Sequence, residues 1–112
     1  MLDLRLYMLQ RLTALVMAPL TLGHIAVMIY AVQGGLTASE VLARTQGSWF
    51  WALFYSTFAI AVAIHGAIGL RVVVHETFGL KGMPLASFTW LAMLTLLGLG
   101  LYAVFAVTWI SP

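Results

Sequence analysis

The residue of this sequence best placed to do chemistry is a histidine inside an apolar segment. His65 lies in the stretch FAIAVAIHGAIGLRVVVHE, residues 58–76. The ionisable residues that follow it within eleven positions are Arg71, His75 and Glu76. An ionisable side chain in an apolar segment is costly, and such residues usually face a bundle interior or a cavity. His65 could therefore form a hydrogen bond to a neighbouring helix, or it could ligate a metal.

Small residues flank His65 on its own helical face. Positions four before and four after a residue share its face of a helix, and for His65 these are Ala61 and Gly69. Such a stripe could leave a slot for a flat macrocycle whose iron the imidazole ligates. It could equally permit close packing of another helix, because helix interfaces in membranes also favour small residues.

The rest of the chain offers few other chemistries. Cysteine is absent, which excludes a disulfide framework and a thiolate metal site. The apolar runs contain no carboxylate, and we find no Ser-His-Asp set or phosphate-binding glycine loop. Ligation of a macrocycle's iron is then the chemistry that best uses His65. A small transporter subunit and a haem-free structural membrane subunit are the alternatives.

Three apolar runs must position these residues. Of the 112 residues, 63% are hydrophobic and 7% are charged, and the mean hydropathy is +1.07. So few charges cannot cover a soluble domain, whereas a helix of about 20 apolar residues crosses a bilayer. The sequence predicts an all-α membrane protein with helix I at about 11–33, helix II at about 48–75 and helix III at about 85–110. Residues 1–112 then form a single transmembrane domain.

A short segment between the first two spans has a helix start of its own. Thr37 and Glu40 have the spacing of a capping box, which predicts a short interfacial helix at about 38–44.

The first apolar run is longer than the core of a signal peptide, which has about 7–15 residues. Because two further spans follow, we expect the first run to be retained as a transmembrane helix.

The distribution of cations predicts the orientation of the chain. With three spans, the N-terminus and the loop after helix II share one side of the membrane. The cations on that side are Arg5, Arg11, Arg71 and Lys81, whereas the other side has only Arg44. The positive-inside rule therefore puts the N-terminus in the cytoplasm. The formal net charge of +2 is too small and scattered to indicate a nucleic-acid partner.

The positions of the basic residues along the helices allow the depth of each histidine in the membrane to be estimated. Six residues at about 1.5 Å each put His65 roughly 9 Å inward of Arg71. Arg71 and Arg11 could pair with the propionates of a haem b that His65 ligates, or they could be snorkelling anchors. His24 lies thirteen residues beyond Arg11, roughly 20 Å from the same boundary. We therefore predict that His24 and His65 do not ligate the same iron.

Two motifs resemble those of a known family. The stretch HGAIGLRVVVHE, residues 65–76, is similar to the His-x-x-x-Gly-hydrophobic motif of the cytochrome b-type membrane anchors of succinate dehydrogenase and fumarate reductase (complex II), in which an acid also follows the histidine by eleven residues. The stretch QRLTALV, residues 10–16, resembles the Arg-x-Ser/Thr signature that opens helix I in both small anchor subunits. The likeness covers most of the chain and slightly favours the smaller anchor.

The resemblance implies roles for individual residues. His65 would be an axial ligand of haem b iron, and Arg11 would contact the haem propionates or the quinone. Glu76 occupies the place of the family's aspartate, and Tyr7 that of a quinone-site serine. His24 resembles the helix I histidine of the two-haem anchors, so it would ligate a second haem or form a helix–helix hydrogen bond.

The resemblance also implies partners and a function. The chain would be a non-catalytic subunit in a heteromeric helix bundle with a second anchor subunit, which would supply the other ligand of the His65 iron. It would dock an FAD-carrying flavoprotein and an iron–sulfur subunit on its cytoplasmic face and form part of a quinone site. We expect a multi-pass protein of the bacterial inner (cytoplasmic) membrane rather than of the mitochondrial inner membrane.

Overall fold

The computed structural model describes residues 4–108, which form four helices and no strands. These are α1 (Leu4–Gln33), α2 (Ala38–Thr45), α3 (Trp49–Phe78) and α4 (Gly82–Thr108). By length and composition, α1, α3 and α4 can each cross a membrane. The predicted all-α fold with three membrane-spanning helices is therefore confirmed.

The long helices extend beyond the apolar runs. α1 begins at Leu4, well before the predicted start at about 11, because Arg5 and Arg11 end the apolar run but not the helix. α3 continues past 75 to Phe78, and α4 begins at Gly82 rather than at about 85. Arginine is a good helix former, so charges mark the limit of the bilayer better than the limit of the helix. The predicted end of helix III at about 110 lies outside the described residues.

The capping box predicted for the short helix α2 is present. The Thr37 backbone N–H donates to Glu40 Oε1 at 2.9 Å, and the Glu40 N–H donates to Thr37 Oγ1 at 3.3 Å. The hydrogen bonds from the Thr37 backbone and hydroxyl lower the pKa of the Glu40 carboxyl. At the other end of α2, the Arg44 guanidinium lies 4.9 Å from the centre of the Tyr30 ring. This contact ties α2 to α1.

The end of α2 also closes the end of α4. The Thr45 hydroxyl donates to the Val107 carbonyl at 2.7 Å, and the Gly47 N–H donates to the Thr108 carbonyl at 2.7 Å. The last four carbonyls of a helix have no partner within that helix. Two of these carbonyls in α4 are therefore satisfied by the α2 segment, which fixes this segment at one end of the bundle.

α3 packs against both α1 and α4, and its contact with α4 depends on small residues. A Cβ added at Gly100 would lie 3.0 Å from the Cβ of Ala59, and one added at Gly66 would lie 3.2 Å from Leu96 Cδ1. Ala63, on the same face of α3, is only 1% exposed. Small residues let two helices approach closely and gain van der Waals contact, which drives helix association in lipid.

Glycines and a histidine build the turn between α3 and α4. Gly79 and Gly82 have φ of 69° and 62°, in the left-handed region that glycine adopts without steric cost. The Gly79 N–H donates to the His75 carbonyl at 2.9 Å. Nδ1 of His75 lies 2.8 Å from the carbonyl oxygen of Leu80, which can only accept, so the imidazole N–H donates to it. His75 therefore stabilises the end of α3.

Candidate functional site

His65 lies on the face of α3 that packs against α1. Its Nδ1 atom is 3.2 Å from the Thr13 hydroxyl, and its backbone carbonyl accepts a hydrogen bond from Gln10 Nε2 at 3.2 Å. Both partners belong to one turn of α1. The two motifs identified in the sequence therefore meet at a single point of the fold.

The hydrogen bonds of Thr13 indicate which nitrogen of His65 holds the proton. The Thr13 hydroxyl lies 2.9 Å from the carbonyl oxygen of Leu9 and 3.0 Å from that of Gln10. Carbonyl oxygens only accept, and a hydroxyl has one proton to donate. Once Thr13 donates to a carbonyl, its oxygen is an acceptor for the Nδ1–H of His65. This pattern favours the tautomer in which Nε2 is unprotonated and able to bind a metal.

The His65 side chain lines an open cavity of about 600 Å³ between α3 and α1. This volume falls in the range of about 300–1,000 Å³ that is usual for ligand and cofactor sites. The cavity's other lining residues all belong to α1: Tyr7, Gln10, Arg11, Ala14, Leu15 and Ala18. The Arg11 guanidinium lies 5.8 Å from the centre of the Tyr7 ring. The cavity therefore has a polar, basic end and an apolar remainder.

The small residues beside His65 on α3 lie within the packed part of the bundle. A Cβ added at Gly69 would lie 3.8 Å from a side-chain nitrogen of α1, and Ala61 is buried. Of the two roles left open for this stripe, helix packing is the one that its position favours. The space next to the imidazole comes instead from Ala14 and Ala18, which are four residues apart on α1.

Sequence reasoning missed the two α1 side chains that hold His65. In the sequence, Thr13 is only one residue of the family signature. The signal that could have found it is its spacing: Gln10 and Thr13 are three residues apart and therefore share one face of α1. Gln10 donates to the His65 carbonyl through Nε2, while its Oε1 atom is buried and has no partner among residues 4–108. A buried acceptor without a partner is uncommon in folded proteins.

Arg71 lies away from the His65 cavity. It is six residues after His65, about 120° around the helix, and its Nη1 donates to Thr89 Oγ1 of α4 at 3.3 Å. It lines a separate cavity of about 350 Å³. The structure therefore brings Tyr7 and Arg11 to His65 but not Arg71, and the pairing of Arg71 with a haem propionate stays a prediction that this placement does not favour.

Glu76 is exposed near the end of α3 and does not line the His65 cavity. It follows His65 by eleven residues, which corresponds to about 16 Å along the helix. Its neighbour His75 is engaged with the Leu80 carbonyl. The quinone-site role of Glu76 stays a prediction, at a position that a partner subunit could reach.

His24 lies in a third environment. Its ring centre is 6.0 Å from that of Tyr55 and 5.6 Å from that of Phe58. It lines a cavity of about 380 Å³ formed by residues of all four helices. His24 is eleven residues beyond Thr13, about 16 Å along α1, so it lies well away from His65. Within the described part of the chain its contacts are with aromatic rings rather than hydrogen-bonding groups.

The described residues contain no group of three or more His, Cys, Asp and Glu side chains that could hold a metal ion. His65 is the one histidine that lines the cavity, so iron bound there would have one histidine ligand from residues 4–108. A macrocycle supplies four equatorial ligands itself and needs only axial ones from protein. The donor set at this cavity therefore fits half of a haem site and does not fit a free metal ion.

Comparison with known protein families assigns the chain to one of them. The family model described as "Succinate dehydrogenase/Fumarate reductase transmembrane subunit" matches residues 2–109, nearly the whole of the 112-residue chain. Neither curated proteins nor solved structures give a match. The family match agrees with the three apolar helices and with the two motifs that meet at His65. The chain belongs to the succinate dehydrogenase/fumarate reductase transmembrane subunit family.

Proposed function

We propose that this membrane subunit binds haem b through His65 and anchors a succinate:quinone oxidoreductase in the bilayer. The observation that carries the proposal is the contact between His65 Nδ1 and the Thr13 hydroxyl at 3.2 Å, beside an open cavity. A hydrogen bond at Nδ1 fixes the ring and leaves Nε2 for iron. A haem-free structural subunit and a small transporter subunit are the alternatives, and the haem spectrum of the purified complex distinguishes them from this proposal.

The lining of the cavity supports haem b as the ligand. Ala14 and Ala18 leave room for a flat ring beside the imidazole, and Arg11 provides positive charge at one end for a propionate. Haem b, when bound, supplies a one-electron redox centre. His65 would provide one axial ligand through Nε2, and Thr13 would hold the imidazole in the required orientation. The second axial ligand would come from a partner anchor subunit, because this chain offers one histidine at the cavity.

The exposed apolar surface of the chain supports assembly with other membrane subunits. Next to the cavity, Leu15 is 72% exposed and Leu12 is 56% exposed. In the membrane this face must be covered by lipid or by another helix. The proposed arrangement places a second anchor subunit on this face. An iron–sulfur subunit and an FAD-carrying flavoprotein would dock on the side where α1 begins, in the cytoplasm of a bacterium.

A quinone is the proposed substrate at the basic end of the cavity, with Tyr7 and Arg11 as the nearest polar groups. We expect Arg11→Ala to lower quinone reduction by the assembled complex more than reduction of a water-soluble dye by the flavoprotein. Loss of one charge-assisted hydrogen bond costs about 1.5–3 kcal/mol, or roughly a 10- to 100-fold loss in turnover efficiency with quinone. Arg44→Ala, at the opposite end of the bundle, should leave both activities unchanged. Equal losses in the two assays, with less assembled complex, would assign Arg11 to assembly instead.

The position of His24 allows a separate prediction about the number of haems. We expect a redox titration of the complex to show one b-type transition. The His24→Ala variant should show the same transition at the same midpoint potential. The reason is that His24 packs against Tyr55 and Phe58, and its cavity is smaller than that at His65. Two transitions that collapse to one in the variant would instead establish His24 as the ligand of a second haem.

A further inference from the structure

The Arg71 guanidinium is a partly buried cation with no anionic partner among residues 4–108. Its Nη1 donates to the Thr89 hydroxyl, which in turn donates to the Leu85 carbonyl at 2.8 Å. Its Nε atom is buried and makes no hydrogen bond to any residue that the structure describes. A charged group in an apolar surrounding is costly unless an opposite charge and hydrogen bonds compensate it. The structure therefore points to an anion from outside the chain at Arg71.

The cavity at Arg71 is an amphipathic groove, which we name the α1–α4 groove. α1 and α4 both pack on α3 but make few contacts with each other, which leaves about 350 Å³ between them. The floor on α3 is the stripe Ile64, Ala67, Ile68 and Arg71, and the wall on α4 is Ala86, Thr89, Trp90 and Met93. On α1 the groove is lined by Arg5, Leu6 and Leu9. Among the residues that the structure describes, this lining includes two cations and no acidic residue.

The charged and apolar parts of the groove are separated along the helix axes. Arg5 lies in the first turn of α1, and Arg71 lies seven residues, or about 10 Å, before the end of α3. Both cations are therefore near the ends of the membrane helices that face the same side. The apolar lining extends from them towards the centre of the spans through Ile64 and Met93. A phospholipid has the same order of parts, with a phosphate at the boundary and acyl chains deeper.

We propose that the α1–α4 groove binds an anionic phospholipid. The headgroup phosphate accepts hydrogen bonds from the Arg71 and Arg5 guanidinium groups, and one acyl chain lies along the apolar floor. Guanidinium groups match phosphate oxygens with paired N–H donors, and basic pockets between transmembrane helices bind anionic headgroups. This inference is independent of haem binding, because the groove lies on a different face of α3 from the His65 cavity.

The test measures lipid binding to the intact, delipidated complex. We expect added phosphatidylglycerol to raise the thermal midpoint of the wild-type complex more than phosphatidylcholine does, and inorganic phosphate to have no comparable effect. Arg71→Gln should weaken phosphatidylglycerol binding roughly 10- to 100-fold, the value of a charge-assisted hydrogen bond. Arg71→Lys should retain part of it. The matched control Arg44→Gln, at the other end of the bundle, should bind phosphatidylglycerol like the wild type.

Other outcomes overturn the proposal. Unchanged phosphatidylglycerol binding by Arg71→Gln, combined with a lower haem content, would assign Arg71 to a haem propionate. Equal stabilisation by inorganic phosphate would show that the acyl chain plays no part. If Arg71→Gln does not assemble, Arg5→Gln gives the same test at an exposed side chain. Native mass spectrometry should show fewer phosphatidylglycerol molecules retained by that variant, and equal retention would contradict the proposal.

Discussion

In the assembled complex, His65→Ala is expected to abolish the low-spin spectrum of haem b. A low-spin haem needs two strong axial ligands, and the cavity offers no second imidazole among its lining residues. A ligand from a partner subunit cannot hold the iron in that state alone. The measurement is the reduced-minus-oxidised absorbance of the purified complex, with haem quantified against flavin. We expect the flavin content to be unchanged and the low-spin haem b signal to be lost.

The control for this variant is His75→Ala. His75 is ten residues further along α3, and its ring is engaged with the Leu80 carbonyl at the turn before α4. Its loss should cost helix-end stability and leave the haem spectrum in place. A normal b-type spectrum in assembled His65→Ala complex would refute the ligand assignment and favour a haem-free role for this chain. Loss of the spectrum in His75→Ala alone would also refute it, and would indicate that haem binding depends on His75 instead.

The sequence predicted the spans well because each one is defined by many residues. An apolar run of about 20 residues is stable in a bilayer as a membrane-spanning helix, and the identity of any single residue has little effect on that prediction. The end of α1 at Gln33 and the start of α3 after Ser48 agree with the predicted limits, because the Gly34-Gly35 pair follows α1 and the Ser48 side chain caps α3. The start of α1 was missed because Arg5 and Arg11 signal the edge of the bilayer, whereas the helix continues through them.

The site was harder to predict because it depends on how two helices face each other. His65 stood out by its chemistry alone. Its partner Thr13 is 52 residues away, and which turn of α1 meets it depends on the axial offset between α1 and α3. That offset depends on the packing of many residues along both helices. Arg71 lies on a different side of α3 from His65 and contacts α4. An estimate of depth along the helix could therefore not show that His65 and Arg71 line different cavities.

Thr13→Val is expected to leave haem b in the complex but to change its properties. Valine keeps the shape of threonine and removes the oxygen that accepts from His65 Nδ1–H. That hydrogen bond makes the imidazole a stronger electron donor, which stabilises ferric over ferrous iron, so its loss should raise the midpoint potential. A neutral hydrogen bond contributes about 0.5–1.5 kcal/mol, which limits the rise to about 60 mV for one electron. The affinity for haem should also fall, by roughly 2- to 13-fold for the same loss of free energy.

Thr13→Ser separates this role from a packing role. Serine restores the hydroxyl and loses a methyl group, so its midpoint should return to the wild-type value even if the complex is less stable. A spectroelectrochemical titration of the three complexes decides the matter, because packing defects alter yield and melting temperature without a systematic change of potential. If valine and serine shift the midpoint equally, the Thr13 hydroxyl does not act on the ligand. In that case its short contacts with the Leu9 and Gln10 carbonyls would define its role, as a helix-bending hydroxyl beside His65.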